Sequence, residues 1–204
     1  MYNDITGIIL CGGKSLRMGV NKAFLKLGSS YIIEIISKLM KELFEKVMII
    51  TNETGLYNFL ELELYEDIYK CKGPLGGIHS GLIHSTTDKN FIISCDIPLI
   101  SLETIKFITD YHSDKSITVP YADGYIQQLC GLYSKSCLPV IEEIFNEDDN
   151  HINGNKCMVL ELVERAGGDI IEIENEMQSY KPNTFFNMND MRHYQEIMHI
   201  YEET

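Results

Sequence analysis

The chain has 204 residues, 45% of them hydrophobic, which suffices for one substantial core and does not require a second domain. Its 30 aspartates and glutamates outweigh 17 lysines and arginines, for a formal net charge of −13. That balance excludes a sequence-blind nucleic-acid binder that depends on many phosphate contacts, but it allows a small anionic ligand wherever cations are concentrated locally.

The opening MYNDITGIILC carries an acid before its apolar run and meets glycines and Lys14 too early for a signal peptide or a membrane span, so a cytoplasmic location is expected. Ile5 to Cys11 is a near-continuous apolar run ending in Gly12-Gly13, the pattern of a strand buried on both faces. Tyr31 to Phe44 places Ile32, Ile35, Ile36, Leu39 and Leu43 at helical spacing, with Ser29 and Ser30 as caps. Lys46 to Thr51 then returns to a short β-branched run, which completes a βαβ unit.

The pattern repeats further on. Pro74 stands where a helix begins, ahead of LGGIHSGLIHS, and Asn90 to Cys95 is another buried-strand run that stops at Asp96. Leu102 to Tyr111 reads as a helix and Ser116 to Tyr121 as a strand. Asp123-Gly124 signals a tight turn, so Tyr125 to Tyr133 is expected to return antiparallel to the strand before it. Leu138 to Phe145 reads as a helix, NEDDNHINGN as a polar loop, Lys156 to Arg165 as a helix, Asp169 to Glu174 as a strand and Met191 to Tyr201 as a final helix. Such alternation predicts an open α/β sheet, mostly parallel with one antiparallel excursion, whose ligands sit outside the carboxyl ends of the strands.

Two side-chain classes give negative readings. The six cysteines form no Cys-x-x-Cys pair, so reduced thiols are expected, several of them on apolar strands. His79 and His84 are five apart, off the shared face that a metal pair requires, and are expected at the surface or in loops.

The first glycine loop nearly fits two phosphate motifs and satisfies neither. A Walker A reading needs Ile8, Ile9, Leu10 and Cys11 to wrap a phosphate, yet they belong to the buried strand. A dinucleotide fingerprint needs Gly-x-Gly-x-x-Gly, and Gly12, Gly13 and Gly19 are wrongly spaced. What the loop does offer is backbone N–H groups at a strand end, followed by Lys14, Arg17, Lys22 and Lys26, four cations within thirteen residues of an acidic chain. A polyphosphate suits that composition.

With its spacing intact, LCGGKSLRMGVNK resembles the Leu-Ala-Gly-Gly-x-Ser-x-Arg-Met-Gly-x-x-Lys signature of the molybdenum cofactor guanylyltransferases, the MobA family. Three further blocks follow in the family's order: YEDIYKCKGPLGGIHSGL, FIISCDIPLIS and FFNMNDMRHY. Cys11 stands in place of the usual alanine, Asp190-Met191 in place of Thr-Pro, and DGYIQQLCGLYS lacks a proline common after the hairpin.

The resemblance implies a single-domain, three-layer αβα, Rossmann-like fold of the nucleotide-diphospho-sugar transferase type. Residues 1–100 would be its nucleotide-binding half and 101–204 its acceptor-binding half. The implied reaction joins GMP from GTP to the terminal phosphate of molybdopterin or Mo-molybdopterin and releases pyrophosphate. Arg17 and Lys22 would stabilise the phosphates, Gly12 and Gly13 would approach them, and Leu10 and Cys11 would line the nucleotide. Asp67 would contact the guanosine, and Asn52 or Thr51 would face the base. Asp96 would hold Mg²⁺, against a simple capping role before Pro98. Asn187 and Asn189 would lie on the pterin side, against helix N-capping by Asn189. Gly76 and Gly77 either line a ligand or let a helix approach the sheet.

Other cofactor-biosynthesis proteins and molybdoenzyme apoproteins are the further partners implied, with no role for nucleic acid or membrane. The nearest alternative is a cytidylyltransferase acting on molybdopterin or another phosphorylated acceptor. A non-catalytic nucleotide-binding regulator is a more distant one.

Overall fold

The computed structural model describes residues 1–12, 21–150 and 158–203, and the side chains of these except 148–150. Gly13, Lys14 and Arg17 lie outside the described residues. The apolar run at the start forms β1 (Tyr2–Leu10), whose last six residues are all buried. Lys22–Phe24 makes one 3-10 turn, followed by a small hairpin, β2 (Lys26–Leu27) and β3 (Ser30–Tyr31). Next come α1 (Ile32–Leu43), β4 (Phe44–Ile50), β5 (Glu63–Tyr65), α2 (Gly73–His84) and β6 (Lys89–Ser94). The second half contains α3 (Leu102–Asp110), β7 (Ile117–Ala122), β8 (Tyr125–Ile126), β9 (Cys130–Ser134) and α4 (Leu138–Asn150). It closes with α5 (Met158–Arg165), β10 (Asp169–Glu172), α6 (Ile173–Glu176) and α7 (Met191–Glu202).

The main sheet runs β10-β7-β9-β6-β1-β4-β5, with β8 paired to β7. β1 lies parallel to both β4 and β6, whereas β9 is antiparallel to both β6 and β7. The antiparallel excursion is therefore β9, inserted between two strands that run the other way. Alternation along β1 divides the core. Ile9 joins one cluster with Ile33, Ile36, Ile105 and Ile197, on α1, α3 and α7. Ile8 and Leu10 join the other with Leu75, Ile78, Ile141 and Leu162, on α2, α4 and α5. Helices thus cover both faces of the sheet, giving three layers.

Glycines set the spacing on the second face. A Cβ at Gly81 would lie 2.8 Å from Ile8 Cγ2, and one at Gly77 3.2 Å from Leu10 Cδ2. At Gly76 it would lie 2.8 Å from the Tyr69 carbonyl. Gly77 and Gly81 let α2 approach the sheet, and Gly76 lets it approach the preceding loop, so close packing accounts for all three.

Several expectations change. Ser29 and Ser30 do not cap α1; Ser30 belongs to β3, and the Tyr31 N–H donates to Glu34 Oε2 at 2.7 Å instead. The return from the Asp123-Gly124 turn is not one strand, because the Gln127 N–H donates to Pro120 O at 2.8 Å and the Ser94 N–H to Leu129 O at 2.8 Å, which breaks the ladder between β8 and β9. The polar segment after Phe145 continues α4 to Asn150, and residues 151–157 lie outside the described residues. The strand at Asp169 ends at Glu172 and turns directly into α6. His79 is only 3% exposed, against Tyr69 and Phe145, so it is a core residue; burial depresses its pKa, partly offset by Glu142. Cys11, Cys71, Cys95, Cys130 and Cys137 are free thiols. Among the described residues no helix is long and apolar enough to cross a membrane.

Candidate active site

β1, β4, β5 and β6 are mutually parallel, so their carboxyl ends meet at one edge of the sheet. Leu10, Cys11 and Gly12 reach that edge first. The Cys11 N–H donates to Ile50 O at 2.9 Å and the Cys95 N–H to Leu10 O at 3.2 Å, which holds the end of β1 between its two neighbours. Gly12 is exposed there, with open space where a Cβ would stand. Cys11 is buried near Cys95 and Tyr57; burial, followed by the neighbouring Cys95, pushes its thiol well up. It is an inert, neutral wall, not a nucleophile.

At the end of β4 the two neighbouring candidates separate. Thr51 is buried, and its hydroxyl accepts from the Glu53 N–H at 3.2 Å. Asn52 is exposed and pairs reciprocally with Asp67: Asn52 Nδ2 donates to Asp67 Oδ2 at 2.7 Å, and the Asp67 N–H donates to Asn52 Oδ1 at 3.3 Å. Burial raises the Asp67 pKa, partly countered by the Asn52 bond and the charge of Lys70.

Asp96 stands just beyond β6, as the FIISC run implies. Its Oδ1 is buried and has no hydrogen-bond partner among the described residues. The Met188 N–H donates to the Asp96 carbonyl at 2.8 Å, so the chain carrying Asn187 and Asn189 is fastened to this point. Asn187 Oδ1 is a second buried oxygen without a partner, whereas Asn189 is exposed. Asn189 does not cap α7. That cap is Asp190, whose Oδ1 accepts from the Arg192 and His193 N–H groups at 2.8 and 3.1 Å, so the departure from Thr-Pro supplies the helix start.

Among the cations of the first loop, Lys22 is described. It sits half-buried on the 3-10 turn, and its ammonium has no side-chain partner among the described residues. Lys26 lies instead over the Tyr31 ring at 5.5 Å, on the hairpin. Sequence reasoning missed Asn21 and Tyr57, which hold the Lys22 turn. The one legible signal was an asparagine directly before a helical turn, a standard N-cap position.

No group of three His, Cys, Asp or Glu side chains among the described residues makes a ready cation cage. One carboxylate and one amide oxygen do match the chemistry of a hard divalent ion that keeps waters and takes further oxygens from phosphates. A backbone-lined strand end at the carboxyl edge of such a sheet, with a lysine and a carboxylate oxygen that have no partner among the described residues, is the arrangement of a nucleotide-handling transferase of the α/β class.

The comparisons with known proteins identify which. Residues 7–164 match the model of the MobA-like NTP transferase domain, and the chain belongs to that family. It is 34% identical over 192 residues to a probable molybdenum cofactor guanylyltransferase of Clostridium perfringens, covering 93% of this chain and 94% of that protein. A probable molybdenum cofactor guanylyltransferase of Carboxydothermus hydrogenoformans is 32% identical, with 97% of each chain covered. The structure of molybdopterin-guanine dinucleotide biosynthesis protein A from Archaeoglobus fulgidus superposes with a TM-score of 0.76 at 19% identity, over 98% of this chain and 100% of that one, a likeness of fold.

Proposed function

We propose that this NTP transferase moves GMP from GTP to the terminal phosphate of molybdopterin or Mo-molybdopterin, in the cytoplasm. The names of its relatives support guanine and the pterin; the unpartnered oxygens of Asp96 and Asn187 support the chemistry. An acceptor phosphate oxygen forms a bond to the α-phosphorus of GTP while the bond to the bridging oxygen of the β-phosphate breaks, and pyrophosphate carries away the electron pair.

The protein's task in this step is to align two anions and neutralise developing charge. Leu10, Cys11 and Gly12 present main chain to the nucleotide, and the absence of a side chain at Gly13 suits close approach of a phosphate. Arg17 and Lys22 grip the phosphates, and Asn52, aimed by Asp67, faces the base. Asp96, with Asn187 beside it, would hold Mg²⁺, which would supply positive charge to shield the phosphates. Asn187 and Asn189 border the acceptor, so residues 1–100 handle chiefly the nucleotide and 101–204 the acceptor. Delivery from other cofactor-biosynthesis proteins, and transfer to molybdoenzyme apoproteins, fit such a product.

Incubation with molybdopterin, Mg²⁺ and each labelled nucleoside triphosphate tests the assignment. A dinucleotide formed from GTP is expected. Product from CTP alone would make the protein a cytidylyltransferase.

A further inference from the structure

Lys22, the proposed phosphate contact, stands on a segment with little regular structure of its own. The turn has three residues, and the hairpin after it has two per strand. A lysine contributes as a point charge on a flexible stem, so its value depends on how firmly its backbone is held.

Two residues supply that hold. Asn21 Oδ1 accepts from the Ala23 N–H at 3.1 Å and caps the turn. Its amide nitrogen points away, donating to Tyr57 Oη at 3.2 Å and to Glu53 Oε2 at 3.2 Å. One side chain thus closes the lysine's turn and ties it to the stretch after β4, where Asn52 stands. Tyr57 is 1% exposed and takes hold on both sides of Lys22: its hydroxyl meets Asn21, and its ring lies 5.2 Å from that of Phe24. Burial, and then the nearby Cys11 thiol at the end of β1, raise the pKa of the same hydroxyl. Between these grips Ala23 is fully buried, whereas the Lys22 ammonium has no partner among the described residues.

We infer that Asn21 and Tyr57 are positioning residues, which lock the Lys22 turn against the ends of β1 and β4 so that its ammonium is held at the triphosphate before the nucleotide arrives. The inference rests on the reading of Lys22 as a phosphate contact. It adds a mechanical link between the phosphate-side cation and the strand end that bears the base-side Asn52, through side chains that need not touch substrate.

A double-mutant cycle tests it with the full chain, GTP, Mg²⁺ and molybdopterin, reading KM for GTP and kcat separately. Asn21→Ala is expected to lower kcat/KM by about tenfold, mainly through KM, and Tyr57→Phe by about threefold, each with an unchanged circular-dichroism spectrum. Because both act through Lys22, the pair Asn21→Ala with Lys22→Ala should be no worse than Lys22→Ala alone. Asn21→Asp keeps the acceptor that caps Ala23 but lacks the amide donor and sets a charge against Glu53, so it should resemble Tyr57→Phe or be worse. If Asn21→Ala does not fold, the Tyr57→Phe and Lys22→Ala cycle carries the same test. Losses that multiply, with Lys22→Ala itself impaired, would overturn the inference alone. A fully active Lys22→Ala would overturn the reading of Lys22 and the inference together.

Discussion

Two stretches of one sheet edge treat their polar groups in opposite ways. Between the ends of β4 and β5, Asn52 and Asp67 are bonded to each other twice, at 2.7 and 3.3 Å. Beyond β6, Asp96 and Asn187 each bury an oxygen that bonds to nothing among the described residues. A buried acceptor without a partner destabilises the fold by about 1–3 kcal/mol, more when charged; Ser37, His79 and Tyr180 also bury such atoms, and what sets Asp96 and Asn187 apart is their place at the carboxyl end of the sheet. On the proposed reading, the base side is assembled in advance, whereas the phosphate side is completed by a cation and the substrate.

The sharpest way to break that contrast is Asp96→Asn. Turnover should fall on the order of a thousandfold with loss of its metal dependence. Its Tm should hold or rise, since the partly buried carboxylate, one of whose oxygens has no partner among the described residues, is replaced by a neutral amide of the same shape. Steady-state kinetics and calorimetry on one preparation read both, and a lost Tm with intact turnover would reverse the assignment.

On the assembled side, Asn52→Ala should raise KM for GTP about tenfold with kcat nearly unchanged, the mark of a contact made equally in ground and transition states. A pH series sharpens this. The Asn52 bond holds the Asp67 pKa down against burial, so its removal lets that pKa climb further. The binding defect should therefore deepen as pH falls, as more Asp67 becomes protonated.

The ends of β1 and β6 were legible because a strand buried on both faces is written as a continuous apolar run; Cys11 and Asp96 follow where those runs stop. The choice between Thr51 and Asn52 was not legible, since it depends on which side chain a neighbouring strand covers. β5 was missed because its three residues, Glu-Leu-Tyr, are too few to show a period, and it is paired only along β4. Tyr57 left no trace in the pattern either, because its hydrogen-bond partner Asn21 is 36 residues away in sequence. His79 was misjudged because α2 is apolar on nearly every face, which burial between sheet and α4 explains.

Smaller effects should separate scaffold from site. Gly81→Ala would force a Cβ to 2.8 Å from Ile8 Cγ2 and should destabilise the fold by about 1–3 kcal/mol in urea unfolding, with KM for GTP unchanged. Smallest is Asp190→Asn. The backbone N–H of His193, together with Arg192, pulls the Asp190 carboxyl down to about 2 from an ordinary 3.8. A depressed carboxyl stabilises the native state above the higher value and loses that contribution as pH falls through the lower one. The wild-type fold should therefore lose a little stability between these two values that the variant does not lose, measured as Tm against pH.

The account turns on the vacant oxygens of Asp96 and Asn187 receiving a divalent cation together with the nucleotide. Electron paramagnetic resonance of Mn²⁺ titrated into the protein with a non-hydrolysable GTP analogue measures this directly. The wild-type chain should bind the ion in the ternary complex, Asn187→Ala should bind it more weakly, and Asp96→Asn should leave only the affinity of the free nucleotide. Undiminished protein-bound Mn²⁺ in Asp96→Asn would contradict the account.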